Sequence, residues 1–422
     1  MLFVALVVLI IVVVCQFLKS YGKSINLINP MLLFSIIWLM IITLYEIRAY
    51  GLNSASIMTE TIIFWGIIGM ELGLFVGIYC RVGKKKRQII LHEMSTKVYV
   101  VFSAILIIVL TITSLKSILL LANGVSLGQI RYLERENVFS SPIIDILYNY
   151  YAVPMSYLMM HINIKRLFTE RNKVFYFIYL LFIVIGCVLS EGGRFIIYFA
   201  SVDALVLLIY YLRNKRPKIS AKTKKIGLIS IILCIAGFVF ITKDRGADVY
   251  KTIYTYLCGC VPYLSKKIET FDTIYDNTFL FTSLNGFIRP LFVVLERFGI
   301  GLPNILTQVE DILLDVELHP YNIGNNIVYN GFVTMFYSFY VDLGVMGVFL
   351  GSLVFGWSSG VAYKKIIYNE NERELVVFLL FVQYIFMSMM RFFGTSYNFA
   401  LCLVYLIILY RSHRLMGNEE MF

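Results

Sequence analysis

The sequence predicts an all-α fold, a polytopic transmembrane helical bundle of about eleven spans with one large outward loop. Of the 422 residues, 59% are hydrophobic and only 15% are charged. Ordinary soluble domains are about 45–50% apolar and about 25% charged, and a soluble fold this apolar would aggregate. The apolar residues also fall in runs of roughly 20, the length that crosses a bilayer, with basic clusters between them.

The candidate spans are the apolar runs 2–18, 29–48, 61–80, 98–121, 143–163, 174–190, 195–212, 226–242, 332–362, 375–390 and 396–410. No basic segment precedes the first run and no A-x-A cleavage site follows it, so we expect a retained helix rather than a signal peptide. The ninth run is long. Its glycines permit close helix packing or a break, and they are Gly344, Gly347, Gly351, Gly356 and Gly360.

Basic residues predict the orientation of the bundle. Clusters follow the first, third, fifth, seventh, ninth and eleventh runs, so they all lie on one side of the membrane and hold most of the 37 Lys and Arg residues. The positive-inside rule places that side in the cytoplasm, with the N-terminus outside and the C-terminus inside. We therefore expect a single membrane-embedded domain over residues 1–422.

The +11 net charge does not indicate nucleic acid, because the basic residues lie in short clusters rather than on one polar face. The chain has no P-loop and no dinucleotide-binding glycine motif. Its His, Cys and carboxylate residues lack metal-ligand spacing, and the pair Cys258 and Cys260 is too close for a typical zinc site. We therefore expect no cofactor and no metal.

The longest outward segment is 243–331, which we expect to be a large extracytoplasmic loop within the domain. It is rich in aromatic and apolar residues, so it is not a flexible linker. Apolar residues between 305 and 316 have helical spacing, with acidic residues on the opposite face and Asn304 as a candidate N-cap. We expect amphipathic helices on the outer surface here, and a site that faces outward, where no ATP is available.

Outward arginines are the candidate ligands for a diphosphate, because a guanidinium keeps its charge and its planar fork suits phosphate oxygens. These residues are Arg131, Arg135, Arg194, Arg245, Arg289 and Arg391. Arg194 is the strongest candidate, because it lies between two apolar runs, where a charge is costly without a partner. It begins a helix after Gly192 and Gly193, which favours anion binding. Pairing with Glu191, or snorkelling, is the alternative.

Two residues are candidate catalytic groups. His319 precedes the ninth run and can act as a general base, although a lone loop histidine is more often structural. Asp342 lies in an apolar run, where a carboxylate suggests function, but it can instead cap the helix that follows. Many of the 30 tyrosines are outward and suit sugar rings, with an aromatic membrane belt as the simpler explanation.

Two stretches resemble Wzy-type oligosaccharide repeat-unit polymerases, the O-antigen and capsule polysaccharide polymerase family. Residues Asn330–Gly344 resemble the late-helix segment of that family, and Ser190–Ala200, centred on Gly193 and Arg194, resemble its mid-chain helix start. The polytopic chain with a large outer loop late in the sequence matches the family too. This resemblance implies a multi-pass protein of the bacterial inner (cytoplasmic) membrane.

The resemblance also implies a reaction. The donor is a growing glycan on undecaprenyl diphosphate, and the acceptor is a lipid-linked oligosaccharide repeat unit whose hydroxyl attacks the donor's anomeric carbon. Undecaprenyl diphosphate leaves, arginines stabilise the charge that develops on it, and a base helps to deprotonate the hydroxyl, with His319 as the only candidate for the loop histidine that related ligases use. The product is O-antigen of lipopolysaccharide or capsular polysaccharide. The implied partners are the lipid bilayer, a chain-length regulator and a flippase.

Other functions stay open from the sequence. The chain could be a flippase or transporter for lipid-linked oligosaccharides, an O-antigen-type ligase, or a non-catalytic assembly partner. Transporters usually have internal repeats and charges at the bilayer midplane. The extended outward segment 243–331 argues against a transporter.

Overall fold

The computed structural model describes residues 1–19, 27–80, 90–126, 129–130, 142–191, 195–213, 249–301, 303–329, 331–369 and 371–414. Over these residues the chain is helical apart from two short antiparallel ladders. Six of the described helices are long and apolar enough to cross a membrane, so the all-α prediction is confirmed and the helices fit a membrane protein. The count of about eleven spans and the sidedness of the loops stay predictions.

In chain order, the helices are α1 (Leu2–Lys19), α2 (Pro30–Ile47), α3 (Ile57–Tyr79), α4 (Thr96–Ala122), α5 (Pro142–Leu147), α6 (Val153–Thr169), α7 (Lys173–Glu191), α8 (Phe195–Arg213), α9 (Val249–Cys258), α10 (Cys260–Ile274), α11 (Asn285–Arg297), α12 (Asn304–Leu318), α13 (Met335–Asn369), α14 (Glu372–Phe386) and α15 (Tyr397–Leu409). The strands are β1 (Ile90–Met94), β2 (Tyr321–Asn322), β3 (Val328–Tyr329) and β4 (Tyr410–Arg414), which pair as β1 with β4 and β2 with β3.

The predicted spans correspond to these helices to different degrees. The helices that meet the length and hydropathy of a membrane span are α1, α2, α3, α4, α7 and α13. The runs 195–212 and 396–410 form the shorter apolar helices α8 and α15. The run 143–163 is divided among α5, a π-helical turn and α6, and the run 375–390 lies in α14 and the short 3-10 turn after it. The run 226–242 lies outside the described residues.

The chain forms two compact units. The first comprises Met1–Arg81, Val239–Tyr368 and Leu380–Tyr397, and the second comprises Val82–Phe238, Asn369–Leu379 and Asn398–Phe422. The expectation of a single domain over residues 1–422 stays a prediction. Every residue of the candidate site described below lies in the first unit.

A glycine seam joins α3 and α13 in the first unit. A Cβ atom at Gly69, Gly73 or Gly77 of α3 would collide with backbone atoms of α13, and one at Gly356 of α13 would collide with the backbone of α3. Small residues four apart let two helix backbones touch, which is the main way that helices associate in lipid. The predicted close packing at the glycines of α13 is confirmed at Gly356.

A break, the other arrangement that these glycines permit, is also present in α13. Leu343 and Gly344 leave the helical conformation, and Gly344 has a φ of 62° that favours glycine. The carbonyl groups just before the break would otherwise have no intrahelical partner. The backbone carbonyls of Val341 and Asp342 instead accept hydrogen bonds from the N–H groups of Thr278 (3.0 Å) and Phe279 (3.1 Å). The carbonyl groups at the break therefore attach Thr278 and Phe279, which belong to the segment 243–331, to α13.

Buried polar contacts hold the second unit together. Thr113 of α4 and Ser190 of α7 are joined by a 2.7 Å hydrogen bond. Tyr99 of α4 donates to the Oδ1 atom of Asn163 in α6 at 3.1 Å. A bilayer supplies no water to these polar side chains, so hydrogen bonds between the helices satisfy them and fix the helix positions in this unit.

Candidate functional site

The helix α12 organises the candidate site. Leu306, Val309, Ile312 and Val316 are buried along one face, which confirms the predicted amphipathic helix. The prediction of Asn304 as N-cap was wrong, because Pro303 takes the N-cap position and Asn304 is the first helical residue. The fixed φ of proline positions the chain for the first turn without a side-chain cap.

Acidic side chains of α12 pair with cations from three other segments. Glu310 contacts Arg289 of α11, with 2.6 Å between Oε1 and Nε. Asp315 contacts Lys267 of α10, with 2.7 Å between Oδ2 and Nζ. A third pair joins Glu317 Oε1 and Arg391 Nη1 at 2.6 Å. The acidic face of α12 therefore gathers basic side chains that are distant in the sequence.

His319 ends α12 and touches the same aspartate. Its Nδ1 atom lies 2.8 Å from Oδ1 of Asp315, one helical turn earlier. The side chain of His319 is 67% exposed, whereas that of Asp315 is mostly enclosed. An ionised carboxylate only accepts hydrogen bonds, so this contact requires the proton on Nδ1 and leaves Nε2 as an acceptor in the neutral ring. The arrangement is that of a histidine base oriented by an aspartate.

Lys267 completes this cluster from the buried side. Its side chain has no exposed surface, and its Nζ atom donates to the backbone oxygen of Asp315 (2.7 Å) as well as to the carboxylate. The ammonium group also lies 4.8 Å from the centre of the Tyr321 ring. Burial lowers the pKa of Lys267, and the hydrogen bond and charge of Asp315 oppose that shift.

Asp342 is held in a different environment. It is 1% exposed. Its Oδ1 atom accepts hydrogen bonds from the Thr278 hydroxyl (2.7 Å) and the Thr282 N–H (3.0 Å). Its Oδ2 atom accepts hydrogen bonds from the Ser283 N–H (3.0 Å) and the Ser283 hydroxyl. The carboxylate therefore anchors the turn before α11 rather than capping the helix that follows it, and this geometry favours a structural role over the predicted catalytic one.

The two described arginines of the predicted set lie on one flank of α12. Their partners Glu310 and Glu317 are two turns apart on the helix, about 10 Å along its axis. Arg391 is 37% exposed and its guanidinium lies 4.9 Å from the centre of the Phe393 ring. Arg289 is more enclosed and has Glu296 as a second partner at 3.5 Å. Arg391 is therefore the more accessible anion ligand.

Desolvation raises the pKa of Glu310, and the charge of Arg289 opposes that shift.

The predicted ligands Arg131, Arg194 and Arg245 lie outside the described residues, as do Gly192 and Gly193. Their proposed contact with a diphosphate stays a prediction from the sequence alone.

Sequence reasoning did not identify Asp315, Glu317 or Lys267 as site residues. The spacing of Asp315 and His319, four residues apart at a helix end, is a signal that could have found the first of them. Lys267 had no comparable signal, because 48 residues of chain separate it from Asp315. Only the folded arrangement brings these two together.

Buried ionisable groups also occur inside both units. In the second unit, His161 Nδ1 and Asp203 Oδ2 are 2.5 Å apart and both side chains are fully buried. In the first unit, the Ser35 hydroxyl donates to Glu71 at 2.5 Å, and both residues are buried. Such groups are costly within a membrane and are a functional hypothesis by default. Sequence reasoning did not single out His161, Asp203, Ser35 or Glu71.

Among the described residues, no group of three or more His, Cys, Asp or Glu side chains is placed to hold a metal ion. Cys258 and Cys260 are buried and free. Burial raises the pKa of the Cys258 thiol to about 11, so it stays protonated at neutral pH. In comparisons with known proteins, no family model, no curated protein and no solved structure matches the chain.

Proposed function

We propose that the protein is a membrane glycosyltransferase that joins polyprenyl-diphosphate-linked oligosaccharides at the outer face of the bacterial inner membrane, with His319 as general base. The observation that carries this proposal is the 2.8 Å contact between Nδ1 of His319 and Oδ1 of Asp315, made by an imidazole ring that is otherwise mostly exposed. The same helix holds Arg391, an accessible ligand for a diphosphate. An exposed base and an accessible anion ligand, both held by acidic side chains of α12, suit transfer from a donor that carries its own leaving group.

The proposed step moves one proton and exchanges one bond. Nε2 of His319 takes the proton of the acceptor hydroxyl as its oxygen forms a bond to the donor's anomeric carbon. The bond from that carbon to the diphosphate oxygen breaks, and its electron pair leaves with the polyprenyl diphosphate. Asp315 stabilises the imidazolium that forms, because its carboxylate already contacts Nδ1.

Arg391 is assigned to the departing diphosphate. A guanidinium binds two phosphate oxygens at once, and a diphosphate carries more charge than the glutamate that holds Arg391 in the free protein. Glu317 thus keeps the arginine in place before the substrate arrives. Arg289 is a further candidate ligand in the same unit. Arg131, Arg194 and Arg245 stay candidates from the sequence alone, and among them the resemblance to Wzy-type polymerases favours Arg194.

Membrane vesicles that contain the protein and receive purified lipid-linked repeat units test this proposal. A ladder of glycans with increasing length supports a polymerase, and transfer to a different lipid acceptor indicates a ligase. Vesicles that lack the protein are the control. Movement of the lipid-linked substrate across the membrane without any new glycosidic bond would contradict the proposal.

That last outcome would favour a second function, transport of lipid-linked oligosaccharides. The observation that favours it is the fully buried pair of His161 and Asp203, because transporters carry intramembrane charges that take up and release coupling ions. The same vesicles discriminate between the two functions. A transporter of this kind moves the substrate faster when a pH gradient is imposed, whereas the proposed transfer needs no gradient.

A paired-charge variant separates the proposed role of Arg391 from a structural one. Arg391→Ala is expected to slow polymer formation about 10²–10³-fold, the usual loss when one group that stabilises developing charge is removed. The exchange variant Glu317→Arg/Arg391→Glu keeps the ion pair but moves the positive charge onto α12. Initial rates in vesicles should stay low in the exchange variant.

Glu317→Gln is the matched control, because it removes the partner's charge but keeps a side-chain oxygen that accepts a hydrogen bond from Arg391. It is expected to retain most of the activity. Wild-type rates in the exchange variant would show that the ion pair matters only for folding, and would remove Arg391 from the site.

A further inference from the structure

We propose that Lys267 is a positioning residue, which locks Asp315 against His319 so that the imidazole ring keeps Nε2 available to the acceptor hydroxyl. This inference rests on the proposed role of His319 as the base. It extends the site to a residue that no part of the substrate touches, since the side chain of Lys267 is fully buried.

The division of the Asp315 carboxylate between two partners is the first argument. One oxygen, Oδ1, faces His319 at 2.8 Å, and the other, Oδ2, faces Lys267 at 2.7 Å. The lysine also binds the backbone oxygen of the same residue at 2.7 Å. Lys267 therefore fixes both the side chain and the main chain of Asp315, so the carboxylate has little freedom to turn away from the histidine.

The cost of burying a lone ammonium is the second argument. A cation without exposed surface is strongly destabilising unless it is paired and hydrogen-bonded. The 2.7 Å contact with Asp315 supplies that pairing, so we expect it to persist and to keep the carboxylate ionised. A carboxylate paired with an ammonium only accepts hydrogen bonds, so its contact with His319 places the proton on Nδ1, which fixes the reactive tautomer.

The remaining titratable groups near Asp315 do not change this charge balance. They are Tyr263, Tyr275, Asp311, Tyr321 and Tyr337, besides Lys267 and His319. Burial raises the pKa of the Tyr263 and Tyr275 hydroxyls, and the charge of Asp315 raises it further. Both hydroxyls therefore stay neutral at physiological pH, and Asp311 is an exposed, solvated carboxylate on α12.

Because the charges of Lys267 and Asp315 oppose each other, substitutions of these two residues should change the pKa of His319 in opposite directions. Lys267→Met leaves Asp315 as an uncompensated anion beside His319, so the pKa of His319 should be higher than in the wild type. Asp315→Asn removes the anion that stabilises the imidazolium, so the pKa of His319 should be lower than in the wild type. A lysine that only fills space would produce neither shift.

The experiment uses the full chain in detergent micelles. The pH dependence of His319 modification by diethyl pyrocarbonate, quantified by mass spectrometry of the peptide that contains it, gives the pKa in each variant. Lys266→Met is the matched control, because Lys266 is the exposed neighbour that pairs with Glu269. The control is expected to keep the wild-type pKa, and the acid limb of the pH profile for polymer formation should move with the pKa of His319.

The double variant Lys267→Met/Asp315→Asn keeps the test decisive if Lys267→Met fails to fold. It buries no unpaired charge, so it should fold, and the pKa of His319 should return close to that of the wild type. A pKa of His319 that is unchanged in folded Lys267→Met, or a double variant that behaves like Asp315→Asn alone, would overturn the inference.

Failure of the proposed function gives a different result. If the pKa shifts appear but wild-type vesicles make no polymer, Lys267 positions His319 in a protein with another activity. If polymer forms and needs His319 but the pKa is indifferent to Lys267, the function stands and the inference fails.

Discussion

Replacing His319 by Gln is expected to slow polymer formation about 10²–10⁴-fold, the range that general-base catalysis contributes. Glutamine can still donate a hydrogen bond to Asp315, but it cannot accept a proton from the acceptor hydroxyl. The side chain of His319 is mostly exposed, so the substitution removes little packing and should change stability by no more than about 0.5 kcal/mol. The effect should therefore appear in the rate and not in the amount of folded protein.

Initial rates of glycan elongation in vesicles measure this effect, with protein amounts matched by immunoblot. Asp315→Asn is expected to lower the rate as well, because it removes the group that orients the histidine. Asp311→Asn is the matched control on the same helix, since Asp311 is exposed, and it should leave the rate unchanged. A His319→Gln protein that elongates glycans within about twofold of the wild type would place the base elsewhere.

Asp342→Ala is expected to lower the free energy of unfolding by at least about 3 kcal/mol. The carboxylate accepts hydrogen bonds from the hydroxyls of Thr278 and Ser283 and from the N–H groups of Thr282 and Ser283. Alanine would leave the buried N–H of Thr282 and the half-buried N–H and hydroxyl of Ser283 without this acceptor, and each such loss costs about 1–3 kcal/mol. We therefore expect a lower melting temperature and a poorly folded first unit rather than a stable inactive enzyme.

Thermal unfolding in detergent, followed with a thiol-reactive dye, measures this change because Cys258 and Cys260 are buried and free in the folded chain. Asp342→Asn should be destabilised too, since its amide NH₂ would face the Ser283 N–H instead of accepting from it. Asp311→Ala is the control for a lost exposed aspartate. If Asp342→Asn melts like the wild type yet makes no polymer, Asp342 is catalytic, as the sequence suggested.

The parts of the fold that depend on local sequence could be predicted. Long apolar runs predict apolar helices, apolar spacing predicts α12, and glycines in an apolar run permit the close packing and the break that α13 has. Asn304 failed as an N-cap because the preceding proline occupies that position. The prediction considered the capping side chain and not the backbone that precedes it.

The candidate site was predicted less completely, because its contacts join distant parts of the chain. His319 was identified from its residue type and its place in the loop that is predicted to face outward, but Lys267, which contacts Asp315, lies 48 residues before it. Asp342 was identified from its apolar surroundings, yet the partners that explain it lie 59 to 64 residues away. One sequence without aligned relatives contains no signal for such pairings, so the structural role of Asp342 could not be distinguished from a catalytic one.

The break in α13 also has a consequence for local opening. Residues 278–283 belong to no regular helix, yet the amides of Thr278 and Phe279 are bound to α13 carbonyls and those of Thr282 and Ser283 to the Asp342 carboxylate. Hydrogen–deuterium exchange at these four amides should therefore be as slow as exchange in the first half of α13, because exposing them requires α13 to separate from them. This stretch and the first half of α13 should thus open as one cooperative unit, and a form with the stretch released beside an intact helix should not be populated.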